Sequence, residues 1–412
     1  MARGGQQSLA RETARRIFGT KRLAVGAIVA VALSLTACST SSSPSAGPAG
    51  GAPAPRPVAQ VSISPSPGSG INPTTPVVVQ AVHGKLTTVT VTNASKGNTV
   101  AGALSPDGAK WTSTEDLAYG ASYRVVADAT GTDGKTVTQQ STLTTVSPAA
   151  QAFPALTPAP PAPGLTFGVG QIIGVSFDHK VTDRAAAENA LTVTTTPSQP
   201  GSWHWIDDRT LHYRPPSYWQ PGTTVKLDAK LYGVNLGSGV YGKTDRSATY
   251  HIHDSWIAKA DGATDQMQIV HNGAVVGTMP ISMGKDATPT HSGPHVISDK
   301  QQQVVMDSCT YGVCPPSPKA YKSTEFWAER ISNDGEFVHE NPASVGAQGS
   351  TNVSHGCINL NPQNAQIFFN EFGLGDVVEA VNTPGGPLPI YDTYGDWELN
   401  WTQWQAGSAL HH

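Results

Sequence analysis

The chain has 412 residues, with 26 Lys and Arg against 30 Asp and Glu and a net charge of −4. That length allows several domains, each with its own buried core. Four cysteines in so long a chain exclude a disulfide-dense scaffold, and basic residues cluster only at the amino terminus, which argues against nucleic-acid binding.

Arg3, Arg11, Arg15, Arg16, Lys21 and Arg22 precede an apolar run from Leu23 to Leu35, and Leu35-Thr36-Ala37-Cys38 follows. A positive region, a short apolar region and small residues at the cut describe an export signal over 1–37. The run is shorter than the roughly 20 apolar residues of a membrane span. Leu-Thr-Ala-Cys resembles a bacterial lipobox, which implies lipidation of Cys38 and an exported protein held at the outer face of the cytoplasmic membrane. A plain secretory peptide is the alternative. Removing 1–37 takes away six basic residues and one acidic residue, so the net charge moves from −4 to −9.

Residues 38–61 are Ser, Pro, Gly and Ala with few large apolar side chains, and they read as a disordered tether. At about 3.1–3.5 Å per residue its contour is on the order of 70 Å. From 62 to 150, β-branched runs such as Val77–Val82, Leu86–Thr92 and Tyr123–Ala127 are separated by Asn, Gly, Ser and Asp clusters. Short strands at that spacing predict a β-sandwich. Residues 151–253 repeat the pattern, with runs at Ile172–Phe177, Leu191–Thr195, Thr210–Tyr213 and Val225–Leu231 and a turn of helix over Asp183–Leu191. His204, His212, His251 and His253 lack the cysteines or clustered carboxylates of a metal site and read as cross-strand or exposed side chains.

The third region spans 254–382. Asn272-Gly273 between two apolar runs predicts a hairpin. Asp307–Lys322, with Cys309, Tyr311, Cys314, three prolines and Tyr321, has no period and reads as a lid or binding loop. Asn361 and Pro362 open a predicted helix that runs to Phe372. In the arm 383–412, Trp397, Trp401 and Trp404 fall on one face of a helix, which predicts an arm packed on the third region. A sugar-stacking platform is the competing reading of those tryptophans.

One stretch carries chemistry. His339 lies in a short strand-like run, and after fourteen intervening residues comes Ser354-His355-Gly356-Cys357-x-Asn359. A cysteine after His-Gly among small polar residues suits an exposed nucleophile at a tight turn. Thiols react as thiolates, and free cysteine has a pKa of about 8.5, so an imidazole base is required. His339 on a strand suits that role better than His355, two residues from the sulfur. The signature resembles the L,D-transpeptidase (YkuD-type) family, whose actinobacterial members carry one or two Ig-like modules before the catalytic domain. The resemblance implies a mainly β fold: two Ig-like β-sandwich modules, a YkuD-type β-rich catalytic domain and a C-terminal arm.

It also implies a reaction and its residues. Cys357 would attack a peptidoglycan tetrapeptide stem, release D-alanine, and pass the acyl group to an amine of a second stem as a 3→3 cross-link. His339 would be general base and acid, oriented by the backbone carbonyl of Glu340. Gly356 N–H would serve the oxyanion, together with the N–H of Cys357. Tyr321, Tyr311, Met306, Ser354, His355 and Asn359 would line the substrate site. Carbapenem β-lactams would acylate Cys357, and no cofactor or metal is called for. The chain departs from many relatives at Ala343, where they have Trp. An exported location permits disulfides; with Cys38 lipidated and Cys357 free, Cys309 and Cys314 are left to pair. Two other functions remain open on these residues: a carboxypeptidase that resolves the same thioester with water, and a non-catalytic wall-binding lipoprotein.

Overall fold

The computed structural model describes residues 57–317 and 320–411. The export signal, Cys38 and most of the tether lie outside the described residues.

The first module faces two four-stranded sheets on each other. One runs in the order Gln60–Ser64, Val78–Val82, Lys110–Ser113, Gly102–Leu104, and the other Gly68–Ile71, Thr136–Thr145, Ser122–Gly131, Gly84–Asn93. The strand Ser122–Gly131 shows why: Tyr123, Val125, Ala127 and Ala129 are buried while the residues between them face outward, the period of two that a half-buried strand requires. The first strand starts at Gln60 and Ala59 is already buried. Order therefore begins inside the segment read as tether, because Val61 and Ile63 pack on this core.

The second module pairs a four-stranded sheet (Pro154–Thr157, Ile173–Phe177, Thr210–Arg214, Ser202–Trp205) with a three-stranded one (Leu191–Thr196, Thr224–Ala229, Arg246–His251). Its core holds Trp203, Trp205, Tyr213 and Trp219. The helix Arg184–Asn189 starts where the Asp183 side chain accepts from Ala186 N–H. Two tyrosines join the modules: Tyr119 stacks near Tyr232, donates to the carbonyl of Gly242 and accepts from the N–H of Gly233.

The third region sets a five-stranded sheet (Ala274–Pro280, Gln266–His271, Trp256–Asp261, Val377–Val381, Gly293–Val296) against a four-stranded one (Asp299–Asp307, Lys322–Arg330, Phe337–Glu340, Ile358–Leu360). Asn272 and Gly273 both take positive φ, which the two-residue hairpin needs. Asn361 caps the helix Pro362–Glu371, whose Ala365 and Phe368 enter the core.

The arm differs from expectation in two ways. Its three tryptophans do not share one helix: Trp397 sits in the 3₁₀ turn Gly395–Glu398, and a new helix, Trp401–Gln405, which holds Trp401 and Trp404, starts at the Asn400 cap. It also does not end on the third region. Thr383 donates to the carbonyl of Thr290 there, but further along Trp404 is fully buried against the second module, donating to the carbonyl of Ser202. Arg214 of that module lies 4.7 Å from the Trp397 ring and 4.5 Å from that of Trp404, and donates to the carbonyl of Leu399. His204 and His212, register partners on adjacent strands, bind the arm through the carbonyl of Trp404 and the carboxylate of Asp396. The tryptophans are a packing device, not an open platform.

Trp404→Ala should cost about 3–5 kcal/mol, the usual penalty for emptying a large aromatic site. Differential scanning calorimetry would check this. An unchanged melting profile would mean that the arm is not stabilising.

Candidate active site

Strand parity builds the site. The strand Phe337–Glu340 runs parallel to Ile358–Leu360, with Val338 opposite Ile358 and His339 opposite Asn359. Val338, Ile358 and Leu360 enter the main core. Phe337, His339, Cys357 and Asn359 therefore face the other side, where Cys357 and Phe337 cluster with Met306 and Ala328. His339 and Cys357, eighteen positions apart, are thereby brought to one face of one sheet.

The ring of His339 is held from one side. Its Nδ1–H donates to the carbonyl of Glu340 at 2.7 Å, which leaves Nε2 for the sulfur. Glu325, on the neighbouring strand Lys322–Arg330, places Oε2 3.4 Å from the same Nδ1. Burial pulls the pKa of His339 down, but its contacts with Cys357 and Glu325 outweigh burial and push it up to about 10. Burial raises the Glu325 carboxyl, and His339 and Ser323 more than reverse that, so its pKa is lowered. The Sγ of Cys357 also lies 3.6 Å from the carbonyl of Gly335.

Ser354 organises the turn that presents the cysteine. Its hydroxyl donates to the carbonyl of Cys357 at 2.6 Å and accepts from Gly356 N–H at 3.1 Å. The Gly356 N–H, an expected oxyanion donor, is thus already used inside the turn. Gly356 has φ +126°, and a Cβ there would come 3.2 Å from Oε1 of Glu336, so only glycine fits without strain. Thr290 fixes the Gly356 carbonyl from below.

A pocket of about 480 Å³ opens over Cys357. Met306, Tyr321, Ser354, His355 and Asn359 line it, as do Glu325 and Ala343. His355 is exposed, stacks on Tyr321 with ring centroids 5.6 Å apart and faces Lys285 Nζ at 3.3 Å, so it belongs to the pocket rim. Asn359 holds its strand through backbone bonds with Ser282, and its buried Oδ1 has no hydrogen-bond partner among the described residues. The lid rises from Met306 and returns at Tyr321, whose N–H and carbonyl both bond the Ser308 hydroxyl. Cys309 and Cys314 form a disulfide within it. The side chain of Tyr311 lies outside those described.

Glu325 is the residue that sequence reasoning missed. It sits in Lys-Ser-Thr-Glu-Phe-Trp-Ala-Glu-Arg, whose charges hide the strand, and nothing in its spacing to His339 signals contact across a ladder.

Comparison with known proteins gives these features a family. Residues 255–379 match an L,D-transpeptidase catalytic domain, and residues 68–235 match a bacterial Ig domain, a span that reaches across both N-terminal modules. L,D-transpeptidase 2 of Mycobacterium tuberculosis is 44% identical over 340 residues, 82% of this chain and 82% of that protein. L,D-transpeptidase 5 of the same species is 37% identical over 82% of this chain and 74% of its own length. A solved LD transpeptidase in complex with imipenem is 33% identical over 55% of this chain and 99% of its own, with a TM-score of 0.48. This chain belongs to the L,D-transpeptidase family.

Proposed function

We propose that this protein forms 3→3 peptidoglycan cross-links through a thioester on Cys357. The observation that carries the reading is the His339–Cys357 pair at the floor of the pocket, in a chain that belongs to this family. In the first step the sulfur, its proton already held on Nε2 of His339, attacks the carbonyl of the third stem residue. The C–N bond to the terminal D-alanine breaks, and the imidazolium returns the proton to the departing amine. An amine of a second stem then attacks the thioester, its proton goes to His339, and the thiolate leaves. The backbone N–H of Cys357 is the remaining backbone candidate for the oxyanion, since that of Gly356 serves Ser354, and the hydroxyl of Tyr321 is a further donor from the lid. The carbonyl of Glu340 fixes the tautomer, and the charge of Glu325 favours the imidazolium.

The same reading assigns 1–37 to a removed signal and Cys38 to a lipid anchor outside the cytoplasmic membrane. The two N-terminal modules serve as a spacer between that anchor and the site.

Intact-protein mass spectrometry with a carbapenem tests the nucleophile. One adduct is expected on the native chain and none on Cys357→Ala; adducts on both, or on neither, would overturn the assignment. Defined tetrapeptide stems test the outcome, where release of D-alanine without a cross-linked dimer would make the enzyme a carboxypeptidase. His339→Ala should slow acylation by about 10²–10⁴-fold.

Glu325→Gln makes a pH prediction. Removing that negative charge destabilises the imidazolium, so the pKa of His339 falls from about 10. The alkaline limb of the acylation profile, where the imidazolium is lost, should move to lower pH. A limb that stays in place would show that Glu325 does not act on His339. For the lid, Cys309→Ser/Cys314→Ser should slow acylation and leave the melting temperature little changed, since so short a loop contributes only about 2 kcal/mol by chain entropy. An unaltered rate would remove the bridge from any part in shaping the lid.

A further inference from the structure

Beneath the catalytic turn lies a second constellation that the transfer reaction does not use. His291 precedes the strand Gly293–Val296, while Asp334 and Glu336 flank Gly335 in the turn between Lys322–Arg330 and Phe337–Glu340. One ligating atom from each of the three lies within 4.8 Å of the others. His291 Nδ1 is 3.1 Å from Glu336 Oε1 and 3.7 Å from Asp334 Oδ2. Bonds of about 2.0–2.1 Å to a tetrahedral zinc-class ion place its ligands about 3.3 Å apart, and the two separations from His291 bracket that edge.

A buried side chain points at the same place. His295 is fully buried, and its Nδ1 lies 3.0 Å from the carbonyl of Gly293, so Nδ1 carries a hydrogen. Its Nε2 faces Glu336 Oε2 at 3.3 Å, and among the described residues neither atom has another partner. Glu336 is itself 5% exposed. Asp392 and Glu398 add two carboxylates whose charge reaches His291.

We propose that His291, Asp334 and Glu336 bind a divalent transition-metal ion of the zinc class, with His295 orienting Glu336 from its far oxygen. A carboxylate held by an outer histidine is a usual support for such a ligand. One imidazole nitrogen among the donors favours zinc-class ions over calcium or magnesium. The half-exposed Asp334 leaves the fourth position on the solvent side. The ion ties the loop carrying His291 to the turn whose Gly335 carbonyl meets the Cys357 sulfur. It is a clamp under the site and not a reactant.

The test measures metal and not catalysis, so it stands apart from the cross-linking proposal. The full chain carrying Cys38→Ser and Cys357→Ser has no free thiol to compete. Titrated with zinc against a chromophoric chelator, it should take up one equivalent at micromolar free metal and melt at higher temperature, and calcium should not displace the zinc. His291→Ala and Asp334→Asn, added singly, should each weaken binding at least tenfold and abolish the thermal shift. Asp334→Asn keeps the size of a partly exposed side chain, so it guards against a His291→Ala chain that fails to fold. No uptake at micromolar zinc, or equal uptake and equal thermal shift in the variants that fold, would overturn the proposal.

Discussion

Everything at the site depends on the register between two short parallel strands. With Val338 against Ile358, alternate side chains divide between core and pocket, and His339 and Cys357 share the pocket side. A slip of one residue would send His339 into the hydrocarbon core and bring Val338 to the sulfur. Apolar burial on one face thus sets the position of the chemistry on the other. Ser282 reinforces the register from outside, exchanging two backbone hydrogen bonds with Asn359.

Buried acids then distribute charge around that frame. Three glutamates lie on or just after the strand Lys322–Arg330, and each meets different basic side chains. Glu325 faces His339, Glu329 meets Lys300 at 3.2 Å, and Glu336 lies between His291 and His295. Glu329 is fully buried, and burial drives its carboxyl well above the usual range despite Lys300. Glu325 ties its strand to the site, Glu336 ties the following turn to the strand Gly293–Val296 and the loop before it, and Lys300, the cross-strand partner of Glu329, donates to the carbonyls of Phe369 and Phe372 at the end of the helix Pro362–Glu371. Such contacts fix relative position more than they add stability.

The parts legible in the sequence were those with local signals. Alternating β-branched runs gave most strands of the two modules, Asn272-Gly273 gave the hairpin, and Asn361-Pro362 gave the start of the helix. Strands with little apolar content were not visible: Lys110–Ser113 has only Trp111, and Lys322–Arg330 is rich in charge because one side faces solvent or other ionised groups. At the site, the spacing from His339 to Cys357 was readable because it lies in one short signature. Glu325, the engagement of Gly356 N–H by Ser354 and the His291–Glu336 group were not, since each arises from segments meeting in space. The arm misled for the same reason. Its tryptophan spacing is helical, but Arg214 and Ser202, far upstream, determine where those rings go.

The docking of that arm has a consequence for the order in which the molecule is assembled. Trp404 and Ser202 are 202 positions apart, and Arg214 and Leu399 are 185 apart. While the chain is emerging, the second module can form its two sheets, but Arg214 and the face bearing His204 and His212 wait for a segment that follows the whole third region. Contacts this distant in sequence close late. Until then an unpaired guanidinium and the open edge strand Ser202–Trp205 are exposed, the kind of surface on which partly folded chains associate. The arm thus completes folding as well as packing.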